Sequence, residues 1–139
     1  MAAVRKLHAR LAGLGHPDIR ESYGCVFGFI DMDNGSRLTE LAERAGLTKQ
    51  AVGEAVTELE RLGYVTRVPD PDDGRAKLIK LTDWGLDGCL KGRRLFAEIE
   101  AEWAEQLGTD ALASFRATAT RITELEGGAV DAAGRPRAA

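Results

Sequence analysis

The side chains in this sequence best suited to chemistry lie between Thr48 and Lys80. Thr48, Lys49 and Gln50 stand together where a helix should start. A glutamine amide can donate to and accept from one adenine edge, and a lysine can reach guanine acceptors or a phosphate. Gly53, Glu54 and Thr57 follow on the same helical face. Gly53 lets a backbone approach DNA closely at some cost in helix stability. Glu54 is repelled by phosphate, but it can accept from cytosine N4 or hold Lys49 or Gln50 in place. Thr57, one turn on, suits a phosphate. The competing reading makes all of these ordinary solvated residues of a helix. Farther along, the stretch RVPDPDDGRAKLIKLT sets three aspartates and two prolines directly before Arg75, Lys77 and Lys80.

Catalysis finds little support. The chain has two histidines and two cysteines, with no HExxH, no CxxC and no phosphate loop, so the convergent groups a reaction needs are missing. We expect no catalytic residue, no metal site and no cofactor. His8 and His16 stand alone and are expected to be structural, although either can meet an acidic ligand. Cys25, in the apolar context GCVFGF, and Cys89 are expected to be buried, inert thiols. A cysteine-based redox-sensing regulator is the alternative.

The elements that must position these side chains can be read from periodicity and turn chemistry. Val4, Leu7, Leu11 and Leu14 recur at helical spacing. A second stripe runs through Ile19, Tyr23, Val26, Phe27 and Ile30, and MDNGS at 32–36 is a turn. Leu38–Ala45 is a short helix ended by Gly46. Thr48 caps the next helix, which buries Val52, Ala55, Val56, Leu59 and Leu62 and ends at Gly63. Tyr64–Val68 and Leu78–Leu81 are strands joined through PDPDDGR, in which Asp73-Gly74 makes the turn. Thr82 caps a long amphipathic helix through Trp103 and Leu107, whose first half Gly85, Gly88 and Gly92 should weaken. Gly108-Thr109 interrupts it, and Leu112, Phe115, Ala119 and Ile122 mark a last helix. The segment from Gly127 reads as a frayed tail.

A short helix, a compact turn and a second helix form a helix-turn-helix, whose second helix enters the major groove. The hairpin after it forms a wing, suited to the adjacent minor groove. The net charge of −3 argues mildly against bulk affinity for nucleic acid. Seven acids against two bases between Leu95 and Glu126, however, leave the rest of the chain positive. From Thr48 to Lys80 six bases face six acids. That balance keeps a second alternative open, a winged-helix protein–protein adaptor without DNA binding.

The stretch RLTELAERAGLTKQAVGEAVTELERLGYVTRVPDPDDGRAKLIKLTDWG resembles the centre of a MarR-family (multiple antibiotic resistance regulator) transcription factor. The matching features are LTELAERAGL, TKQAV, LERLGYV, DPDDGRA and LTDWG, over Arg37 to Gly85. The flanking helices match in pattern and length. The resemblance implies a mainly α fold with a small β-hairpin wing and a helical dimerisation lobe. Residues 18–82 would form the winged core, 1–15 and 83–126 the dimerisation helices, and 127–139 a flexible tail. It further implies a homodimer that binds a pseudo-palindromic operator in double-stranded DNA and acts as a repressor. Thr48, Lys49 and Gln50 would contact DNA. Arg75 would occupy the wing-tip arginine's place in the minor groove, and Asp73 that of the acid that pairs with wing bases. Arg67 and Lys77 would meet phosphates. Gly53 and Glu54 depart from the family pattern, which often has Ser or Thr and then Arg. A small aromatic or anionic effector would bind near Tyr23, Phe27 and Trp84 and release the DNA, although aromatics at helical spacing serve equally as plain core. With no apolar run long enough to span a bilayer and no secretory signal, a cytoplasmic protein and no membrane partner are expected.

Overall fold

The computed structural model describes residues 2–126, 129–130 and 136–137. Six helices run α1 (Ala2–Gly13), α2 (Glu21–Phe27), α3 (Leu38–Ala45), α4 (Lys49–Arg61), α5 (Asp83–Leu107) and α6 (Thr109–Leu125). Three short strands, β1 (Ser36–Arg37), β2 (Val65–Pro69) and β3 (Lys77–Leu81), form an antiparallel sheet in the order β1-β3-β2. The fold is the expected one, mainly helical with a small β wing. The chain divides into two compact units, one up to Phe96 and one from Ala97.

In the first unit the apolar faces of α2, α3 and α4 close on the sheet. Val26, Leu41, Val52, Val56, Leu59 and Ile79 are almost wholly buried there. The helix-turn-helix follows from local chemistry. Gly46, at φ 63°, adopts the left-handed conformation that ends α3. Two residues later the Thr48 hydroxyl accepts from the Ala51 N–H and starts α4. The buried stripe of α4 is Val52, Ala55, Val56 and Leu59. Its opposite face, with Lys49, Gln50, Glu54 and Thr57, is exposed.

The hairpin pairs Val65 with Leu81 through to Pro69 with Lys77. β1 adds a third strand, with Ser36 opposite Ile79 and Arg37 opposite Leu78. The turn chemistry of MDNGS predicts no strand at Ser36. Two residues give no alternation to detect, and the pairing is decided by β3, which lies far away in sequence. Ser36 is fully buried, and its hydroxyl accepts from the Asp31 N–H and from Arg44. The tip turn also differs in detail from a glycine-driven one. The Ala76 N–H donates to the Asp73 carbonyl, with Gly74 and Arg75 between them, and Gly74 keeps a negative φ. The Asp73 side chain fixes this turn by accepting from the Arg75 N–H.

The second stripe extends beyond the helix it predicts. α2 spans Glu21–Phe27, yet Ile19 and Ile30 outside it are buried as well. α5 runs unbroken for 25 residues despite its glycines. A Cβ at Gly85 would lie 1.9 Å from the Tyr64 carbonyl oxygen, and one at Gly88 would lie 3.2 Å from His16 Nδ1. These glycines let α5 lie directly on neighbouring backbone and ring. Thr82 joins the same junction, since its hydroxyl donates to the Gly63 carbonyl oxygen and accepts from the Gly85 N–H.

In the second unit no residue of α6 is buried. Leu107, Phe115, Ile122 and Leu125 are exposed, and Arg116 pairs with Glu100 at 2.6 Å. Within the segment read as a tail, Ala129–Val130 pairs antiparallel with Pro136–Arg137.

Candidate nucleic-acid interface

α4 presents its first turn to solvent. The Gln50 amide donates to the Glu54 carboxylate at 3.2 Å, so Glu54 holds Gln50 in one orientation, one of the two roles its position allows. The Thr57 hydroxyl donates to the Gly53 carbonyl at 2.8 Å and accepts from the Arg67 guanidinium at 3.0 Å. Arg67 is also engaged by the Glu60 carboxylate, which accepts from its side chain and its backbone N–H. Arg67 therefore ties β2 to the exposed face of α4. Its guanidinium is committed to protein partners, where the sequence suggested a phosphate contact.

The wing carries a second tie that the sequence did not reveal. Asp70 is only 5% exposed. One carboxylate oxygen accepts from the Arg37 side chain at 2.6 Å, and the other accepts from the Asp72 N–H at 2.9 Å. The Asp72 backbone N–H is the foremost influence holding the Asp70 carboxyl below its ordinary range, burial opposes it, and the Arg37 guanidinium adds to the lowering. Asp70 in turn raises the Arg37 guanidinium. Asp73 bonds the backbone of Arg75, so the wing acid that pairs with a base is Asp70. The available signal was Arg37 itself, an arginine at the N-cap of α3, where a short polar acceptor is usual.

The apparent charge balance between Thr48 and Lys80 is resolved in space. Glu58 pairs with Arg61, Glu60 with Arg67 and Asp70 with Arg37. Among the described residues, Lys49, Arg75 and Lys77 meet no carboxylate at ion-pair distance, and all three are exposed. Between Thr48 and Lys80, the exposed cations left for a polyanion are thus at the start of α4 and on the wing.

The aromatic residues proposed for an effector divide. Phe27 is buried and meets Tyr64 edge-on at 5.6 Å. Tyr23 packs half-buried on the core. Trp84 is 45% exposed and lies 4.1 Å from the His16 ring. His16 is buried and bonded to Asp87 at 2.8 Å, while His8 lies 2.7 Å from the Ile19 carbonyl oxygen. Lys91 first, and His16 second, hold the Asp87 carboxyl below its ordinary range. Both histidines therefore have structural partners. Cys89 is buried, with its sulfur 3.8 Å from the Phe27 carbonyl oxygen. The Cys25 side chain lies outside the described residues. Among the described residues no cluster suited to a metal occurs, and no helix is long and apolar enough to cross a membrane.

Comparison with known proteins adds the following. Residues 20–76 match the model of the MarR family. The structure is similar to that of wild-type MarR from E. coli, at 24% identity and a TM-score of 0.69, over 87% of this chain and 88% of that one. A cysteine-to-serine variant of the E. coli protein complexed with operator DNA matches at 24% identity with a TM-score of 0.71, over 87% and 85%. A variant of S. aureus MepR bound to an oligodeoxyribonucleotide matches at 24% identity with a TM-score of 0.61, over 88% of each chain. At these identities the likeness speaks for the fold. Among curated proteins none matches the chain.

Proposed function

We propose that the chain is a regulator of the MarR type, whose family model matches its winged helix-turn-helix: a sequence-specific, cytoplasmic transcriptional repressor that binds a pseudo-palindromic operator as a homodimer. The observation that carries this reading is the distribution of unpaired cations. Lys49 and Gln50 project from the first turn of α4, and Arg75 and Lys77 from the wing, while Glu54, Glu58, Glu60 and Asp70 are occupied by other partners. α4 enters the major groove, where Gln50 reads an edge and Lys49 reaches a base or phosphate. Thr48 and Thr57 flank it along the backbone. The wing lays Arg75 in the minor groove, where the potential is most negative, and Lys77 meets phosphate. The relatives seen with operator DNA and with an oligodeoxyribonucleotide support this reading.

A small aromatic or anionic effector, bound beside Trp84 and Tyr23, releases the DNA by favouring a conformer in which the two copies of α4 no longer match the operator. A few kcal/mol of differential affinity suffices for such a shift. Arg75→Ala tests the wing. In an anisotropy titration at physiological salt, on a duplex selected by the wild-type protein from a random library, its dissociation constant should rise about tenfold. An unchanged constant removes the wing from the interface.

A further inference from the structure

We propose that Arg37 and Asp70 are positioning residues that aim the wing tip, and Arg75 with it, relative to the helix-turn-helix; this rests on the DNA-binding reading above. The two side chains join parts of the chain far apart in sequence. Arg37 is fixed by its backbone, paired with Leu78 of β3 and donating its N–H to the Glu40 carboxylate at the start of α3. Asp70 is fixed at the neck of the wing tip. Its backbone N–H donates to the Ala76 carbonyl, its own carbonyl accepts from the Asp73 N–H, and its side chain accepts from the Asp72 N–H. All three bonds bear on the loop that carries Arg75. The Arg37 side chain then links that neck to α3, the helix directly before α4.

Burial gives the link its stiffness. The Asp70 side chain is 3% exposed, whereas the Arg37 side chain is 40% exposed. A carboxylate withdrawn from water holds to its donors, because no water replaces one that leaves. Arg75, by contrast, has only its backbone fixed, by Asp73. Ordering the loop before DNA arrives reduces the freedom lost on binding. Without the link, the tip keeps its local turn but loses its bearing on α3, so Arg75 reaches the groove less often.

A double-mutant comparison tests this, because coupling between residues that do not touch is what distinguishes aiming from general support. Arg75→Ala is measured alone and in the Arg37→Met and Asp70→Asn backgrounds, on the selected duplex at fixed salt, with circular dichroism confirming folding. We expect Arg75→Ala to cost about tenfold in the parent and under about threefold in either background. Arg37→Lys, which keeps one charged donor, should restore part of the coupling. The same factor in all backgrounds overturns the proposal. Hydrogen exchange over residues 68–78 of the DNA-free protein supplies an independent arm. Faster exchange there in Arg37→Met, with 49–61 unchanged, supports the tether, and unchanged exchange overturns it. Should the wild-type protein select no duplex at all, the DNA-binding reading fails, and the exchange arm decides the tether alone.

Discussion

Asp70 shows how one buried carboxylate makes the wing sensitive to acid. The Asp72 N–H, and after it the Arg37 guanidinium, hold its carboxyl below the ordinary range despite the opposing effect of burial. A carboxyl with a lowered folded pKa contributes stability that is fully present above the unfolded value, about pH 4, and is lost as pH falls through the folded value. Asp70→Asn removes that contribution. The gap in thermal midpoint between parent and variant should therefore be widest near neutral pH and should close as pH falls below about 4. A gap independent of pH would mean that the carboxylate charge does not matter there. Residue chemistry was legible in part. DPDDGRA marked the wing turn, and Arg75 is exposed at its tip. Which aspartate did the holding was not legible, because Arg37 stands 33 residues away and no local pattern connects the two.

At the scale of elements, the helices followed from periodicity and caps, since Gly46 and Thr48 act locally and carry their own signals. β1 and the continuity of α5 did not, because both depend on partners distant in sequence. The glycines separate these two kinds of information. A Cβ at Gly85 would strike the Tyr64 carbonyl, whereas nothing lies within 4 Å of one at Gly53. Gly85→Ala should therefore cost about 3 kcal/mol of stability through overpacking. Gly53→Ala should gain about 1 kcal/mol from helix propensity. If α4 approaches DNA through Gly53, the same substitution should weaken binding severalfold even as it stabilises the protein. Denaturant unfolding at fixed protein concentration, with a binding titration on the same samples, checks both. A Gly85→Ala protein as stable as its parent would contradict the close contact at that junction.

At the scale of the molecule, apolar surface remains without cover in each unit. Val4, Leu14, Leu86, Leu90 and Phe96 are exposed in the first, and Leu107, Phe115, Ile122 and Leu125 in the second. Along α6 an open groove of about 960 Å³ is lined by residues including Leu112, Arg116 and Leu125. Isolated apolar side chains on a surface are ordinary, but a helix with no buried residue at all is not. A second copy of the chain covers this surface in the reading proposed here. Phe115 is 71% exposed, and Phe115→Glu should shift the mass seen by light scattering at micromolar concentration from dimer toward monomer. A parent protein that is already a monomer would remove the model of two half-sites. The amphipathic stripes predicted that these helices need a partner, and a dimer would cover the side chains exposed in the single chain.

Hydroxyl-radical footprinting on a duplex selected by the wild-type protein puts DNA reading by two copies to the most direct test. The account predicts two protected patches whose centres lie about one helical turn, 10 base pairs, apart, flanked by minor-groove protection that disappears in Arg75→Ala. Diffuse protection without discrete patches, at a concentration that saturates binding and at physiological salt, would contradict it.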